Sequence, residues 1–352
     1  MTTETDHASA RLISDPLRSW LFHRPVADAL TKLVLRDARP AQKITALTRF
    51  LGLTGHSSQI SQWEALLQVA SIDVAVARML EPHVDALGIL AEAGHATPDR
   101  HSAWGVYAAE SPKYAASASG EGSELTITGG KAWCSLASEL THAIVIAHGE
   151  EGSRAHAVDL RDSRVQPEAG TWPSLGLREI PSGAVKFGQA PATAVGPAGW
   201  YLDRPSFAWG GIRVSACWFG GALGMAQVAA RLHLARPGPS AVGEMQLGQL
   251  DAEIFTARTA LSEAATAADS DRGFTRAEAW ALALKVRNIV YRGVQRIQHL
   301  SRELAGPAAL TGDPAFAKAD ADLTVYISQH HGPRDEAALG TEFRRSAENN
   351  EL

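Results

Sequence analysis

Two stretches of this 352-residue chain carry side chains that can do chemistry. The first, Lys131-Ala132-Trp133-Cys134-Ser135, puts a large flat ring beside a small hydroxyl on a strand edge. A β-hairpin with a core tryptophan explains the same residues without chemistry. The second, Gln329-His330-His331-Gly332-Pro333-Arg334-Asp335-Glu336, gathers two imidazoles and two carboxylates. A neutral imidazole accepts a proton near neutral pH, and Asp335 and Glu336 are alternative bases. A helix cap ahead of Gly332-Pro333 is the competing reading. Adjacent residues on a helix point different ways, so His330 and His331 do not form a two-histidine metal site.

The first stretch sits inside Glu124 to Ala147. Leu125 and Ile127 alternate with Thr126 and Thr128, the period of a half-buried strand. Gly129-Gly130 reads as a turn, and Ala143 to Ala147 is an apolar run of strand length. Short alternating segments with frequent Gly, Pro and Ser extend from Trp104 to about Val195, predicting a β-barrel or sandwich between helical regions.

On the amino-terminal side, helix is expected from Leu17 to about Gly94. Its best stretch runs from Ser61 to Ala93, with a possible new start at Ser71 or Asp73 and a kink at Pro82. His83 and Asp85 read as surface charges on this helix, with a buried or cleft-facing polar pair as the alternative. Beyond Pro205, Ile212, Ala216, Phe219, Leu223 and Ala226 share one helix face. Gly220, Gly221 and Gly224 interrupt it, which close approach of a helix or a ligand would explain. Leu247, Leu250, Ile254, Ala257, Leu261 and Ala264 form one seam, and Val286, Val290, Val294, Ile297 and Leu304 a second. A four-helix bundle follows. The chain is thus α+β, mainly α, with a helical domain over 1–103, a β domain over 104–200 and a bundle over 201–352.

Charge gives no reason to expect a nucleic-acid or membrane partner, since 33 Lys and Arg oppose 38 Asp and Glu for a net −5. Two cysteines, Cys134 and Cys217, suggest no disulfide framework and fit a cytoplasmic protein. The first ten residues lack the basic and apolar regions of a signal peptide. No run reaches the ~18 apolar residues of a membrane span. There is no P-loop, dinucleotide fingerprint, zinc spacing or nucleophile elbow.

From about residue 60 to 340 the chain resembles the acyl-CoA dehydrogenase family, as a divergent member lacking the usual catalytic glutamate. Gly129, Lys131, Trp133 and Ser135 match that family's G-x-K-x-W-x-[Thr/Ser] segment. The stretch from Trp104 to Pro112 resembles its aromatic-rich strand, and Trp172 to Arg178 with Gly183 to Phe187 its closing strand pair. The resemblance implies FAD, with Trp133 on the isoalloxazine ring, Cys134 beside it, Ser135 near N5, and Val106, Ala108 and Ala109 along the pyrimidine edge. It places Arg236 at the FAD pyrophosphate, with Gly306 in the matching segment of a later helix, and Arg213 at the substrate end of the site. Aligning Gly332 with the glycine after the family's glutamate puts His331 where the base stands, with Asp335 and Glu336 as alternatives. The implied activity is α,β-desaturation of an acyl-CoA thioester, with an electron-transfer flavoprotein as acceptor, in a homo-oligomer (dimer or tetramer) or a hetero-oligomer. A flavin monooxygenase on the same scaffold and a catalytically silent partner subunit are the alternatives.

Overall fold

The computed structural model describes residues 24–168, 172–204, 206–238, 240–270 and 273–348. The expected helix start at Leu17 lies outside them. The amino-terminal part is four helices: α1 (Arg24–Leu35), α2 (Pro40–Phe50), α3 (Gln59–Ile72) and α4 (Val74–Glu92). Ser58 caps α3 by accepting from the Ser61 N–H, and Asp73 caps α4 by accepting from the Val76 N–H at 3.0 Å. Pro82 is carried inside α4, which runs on to Glu92.

Seven strands follow: β1 (Trp104–Tyr107), β2 (Ala116–Ser119), β3 (Thr126–Ser135), β4 (His142–Gly149), β5 (Gly152–Asp159), β6 (Val165–Pro167) and β7 (Ser182–Val195). Their order is β1-β4-β2-β3-β7-β5, and β5 also pairs with β4, so the pairings return on themselves around a barrel-like core. Ile127, Val145, Val158, Val185 and Phe187 are buried there. Gly129-Gly130 is not a turn. β3 passes straight through it, and Gly129 adopts φ +100° because the Ala115 carbonyl lies where a Cβ would stand.

The carboxy-terminal part comprises α5 (Trp200–Asp203), α6 (Ser206–Leu234), α7 (Ala241–Ala268), α8 (Arg276–Ala305), α9 (Pro307–Gly312), α10 (Pro314–Ile327) and α11 (Pro333–Glu348). α6 is central, packing on α3, α4, α7, α8 and α10. Both seams are buried, except that Leu247 is only partly covered. The glycines of α6 answer to helix packing: a Cβ at Gly220 would meet the Leu67 carbonyl, and one at Gly224 the Ser71 carbonyl. α3 therefore shares the bundle core with the later helices.

The β domain is clamped to the helices by the loop before β7. The Leu177 N–H donates to buried Asp322 on α10 at 2.6 Å. Lys318 bridges Asp322 at 2.6 Å, Glu179 at 2.8 Å and Asp73 at 3.3 Å. Asp73, Glu179 and Asp322 lie close enough to share an ion, and the Lys318 ammonium already pairs with all three. Among the described residues no helix is long and apolar enough to cross a membrane.

Candidate active site

The register of β3 against β7 slips between Lys131 and Cys134, so the strand bulges at Trp133. Trp133 has φ +54° and leaves its ring 59% exposed. Left-handed backbone is unfavourable for a bulky residue, costing ~1–3 kcal/mol. Core packing does not repay that strain, which excludes the buried-tryptophan reading. The bulge turns Cys134 inward, where burial pushes its thiol up to about 12, far from nucleophilic at neutral pH. Lys131 is buried beside it, with Nζ 3.2 Å from Glu110. Ser135 Oγ lies 2.8 Å from Ser182 Oγ and accepts from Arg78 Nη2 at 3.2 Å, while its carbonyl accepts from the Tyr107 hydroxyl at 3.1 Å.

Arg78 opens a stripe along α4 on which Arg78, Glu81, Asp85 and Glu92 share one face, with Gly88 between the last two. Glu81 is 7% exposed, with its carboxylate 3.9 Å from Arg78. Asp85 accepts from Arg213 Nη1 of α6 at 2.8 Å, and Arg213 is itself 3% exposed. His83 is 3% exposed and its Nδ1 accepts from the Trp104 N–H at 3.2 Å. The expectation that His83 and Asp85 are surface charges is therefore overturned: the helix is sandwiched between the β domain and the bundle. The stripe leads to a cavity of about 180 Å³ lined by Gln59, Gln62, Asp85, Arg204 and Arg213, among others. A larger cleft of about 420 Å³, lined by residues such as Phe207, Arg276 and Trp280, includes neither Trp133 nor Ser135 in its lining.

Burial moves two neighbouring groups of α4 in opposite senses, raising Glu81 from 4.5 to about 7 and lowering His83 from 6.5 to about 4. With Glu81, the folded state holds the extra proton, so its contribution to stability falls as pH rises from 4.5 to about 7. With His83 the unfolded state holds it, so stability is lost as pH falls from 6.5 to about 4. Each is worth ~3 kcal/mol, and over the shared window the two nearly cancel. Glu81→Gln removes one of them, so the variant's stability relative to the parent is expected to rise by ~3 kcal/mol from pH 4.5 to pH 7. Denaturant unfolding across that range checks this; parallel profiles for parent and variant would contradict it.

The carboxy-terminal stretch is arranged differently from its linear reading. His330 is the buried imidazole, stacked on Tyr291 at 4.0 Å between centroids, with Nε2 2.7 Å from Asn288 Oδ1. Its Nδ1 accepts from the Gly332 N–H at 3.0 Å, which makes Nε2 the protonated nitrogen. His331 is 64% exposed, with Nδ1 3.5 Å from Asp335. Asp335 faces Arg287 at 3.9 Å, and Glu336 pairs with Arg292 at 2.7 Å. None of the three contacts Ser135 or Trp133. Along β1, Val106 is half-buried; Ala108 just beyond is half-buried and Ala109 exposed. Arg236 and Gly306 do meet: Arg236 Nη2 donates to the Ala305 carbonyl at 2.8 Å, beside Gly306 at φ +80°. Linear reading missed Arg78, Glu81 and Arg287. The recurrence of Arg78, Glu81 and Asp85 at spacings of three and four along an otherwise apolar helix was the available signal for the first two.

The helical–β–helical architecture is the acyl-CoA dehydrogenase-like fold. A ternary complex of TdsC, the dibenzothiophene monooxygenase of Paenibacillus sp. A11-2, with FMN and indole superposes with a TM-score of 0.76 at 18% identity, covering 90% of this chain and 95% of that one. KijD3 in complex with FMN and a dTDP-linked amino-keto sugar gives 0.75 at 18% identity, over 99% and 95%. A nitrososynthase from Micromonospora carbonacea var. africana gives 0.74 at 18% identity, over 95% and 96%. No protein family and no curated protein matches the sequence.

Proposed function

We propose that the chain is a flavin-dependent monooxygenase. The carrying observation is the β3 bulge, which spends backbone strain to hold Trp133 outward while Ser135, two residues on, faces the Arg78 guanidinium. Trp133 would carry the flat ring of the cofactor, and Ser135 would hydrogen-bond its edge. Arg78 would stabilise negative charge developing there. When bound, the flavin supplies the redox and oxygen chemistry. FMN is preferred to FAD, since TdsC and KijD3 hold FMN. A homo-oligomer belongs to the proposal, because Val242, Met245 and Phe255 expose apolar surface on α7.

Acyl-CoA desaturation needs a base at the substrate's α-carbon. His331 is at the surface, Asp335 faces Arg287 and Glu336 pairs with Arg292. Those placements favour oxygenation, which requires no such base. Stopped-flow spectroscopy separates the two readings: the protein loaded with reduced FMN is expected to react rapidly with dissolved oxygen and to stay oxidised when acyl-CoA thioesters are added. Reduction of bound flavin by an acyl-CoA would overturn the oxygenase reading in favour of desaturation.

A further inference from the structure

Glu81 is a buried carboxyl group whose only ion pair among the described residues is long. Its nearest cation, Arg78 at 3.9 Å, is committed to Ser135 at 3.2 Å. From its own helix it also feels Asp85. Facing it from elsewhere are Arg213 and Cys217 of α6, Arg287 of α8, Tyr326 of α10 and Tyr201 of α5. Asp85 is held by Arg213 at 2.8 Å, and Arg287 Nη1 donates to the Gly211 carbonyl at 2.7 Å. The charge that Arg78 presents at the β3 bulge therefore depends on whether Glu81 carries a proton.

We propose that Glu81 is a positioning residue of the flavin site, taking up a proton from solvent as the bound flavin is reduced and acting on the ring through Arg78 and Ser135. The proposal rests on the flavin reading above. Two electrons from an external donor bring negative charge to the ring edge beside Ser135. The ionised Glu81 carboxylate offsets part of the Arg78 charge, and binding one proton cancels that offset. The ring gains two electrons and one proton from solvent, Glu81 gains a second solvent proton, and no other bond is made or broken at α4. A carboxyl whose midpoint is raised to about 7 suits this exchange at neutral pH. In water the same pair would be screened; burial lets the guanidinium act on Ser135 at close range.

The test is the midpoint potential of FMN bound to the full-length protein, titrated with dithionite between pH 6 and pH 9. The expected parent profile breaks near pH 7, and on its alkaline side one extra proton accompanies each two electrons. That is a tenfold change per pH unit, about 30 mV. Glu81→Gln is expected to bind FMN and lose the break, and Glu81→Asp to recover it at a shifted pH. A purely structural role would not give loss with Gln and recovery with Asp. An unchanged break in Glu81→Gln would overturn the proposal. Should that variant not fold, a break at the parental pH in Glu81→Asp would overturn it. A parent that binds no flavin would overturn the flavin reading and this inference with it, whereas bound flavin with a Glu81-independent profile overturns the inference alone.

Discussion

Asp322→Ala is expected to destabilise the protein by ~2–4 kcal/mol, the cost of leaving the buried Leu177 N–H without its acceptor and of taking a carboxylate from part-exposed Lys318. Asp322 is 1% exposed and accepts from both the Leu177 N–H and Lys318, each at 2.6 Å. Alanine leaves a buried backbone donor unpaired and takes from Lys318 its most buried partner. The loss falls on the junction between domains, because the Leu177 loop leads into β7 while Asp322 and Lys318 belong to α10. The loop packs closely on α10 there, since a Cβ at Gly176 would run into the Ala321 carbonyl. Urea unfolding of parent and variant measures the difference; a change below ~1 kcal/mol would show that the clamp does not hold the β domain.

Trp133→Gly is expected to separate stability from binding. Glycine adopts φ +54° without penalty, and the tryptophan ring is 59% exposed, so little packing is lost. Relief of strain outweighs that loss, and the variant should be more stable than the parent by ~1 kcal/mol. The same change removes the platform on which the flavin ring would stack. Aromatic stacking of a flat heterocycle is worth ~1–3 kcal/mol, so FMN affinity should fall about 10- to 100-fold. A residue kept for folding would show the reverse, with lower stability and unchanged affinity. Thermal unfolding and FMN titration on the same two preparations decide between them.

Periodicity made the helical–β–helical order legible. The seams on α7 and α8 repeat at three and four, and burial in the structure follows them from Leu250 to Ala264 and from Val286 to Leu304. Gly129-Gly130 misled because glycine serves close approach as well as turns, and only the neighbouring Ala115 carbonyl distinguishes the two uses. Trp133 and Ser135 could be singled out by residue type. The strain that makes Trp133 informative comes from the register slip against β7, a long-range pairing. His83 and Asp85 were misread because a charged stripe on a helix faces water unless another layer covers it, and that layer, α6, begins over a hundred residues later. For the same reason the choice between His330 and His331 needed Tyr291 and Asn288 of α8, which wall in His330 and leave His331 outside.

Whether a flavin binds at the β3 bulge is tested most directly by adding FMN to purified, flavin-free protein and recording its absorbance spectrum. The expected result is saturable binding of one flavin per chain, with a shifted visible band and quenched tryptophan emission, both weakened in Trp133→Gly. Protein that leaves the spectra of FMN, FAD and riboflavin unchanged at every concentration, alone or with a co-expressed homologue, would contradict the account.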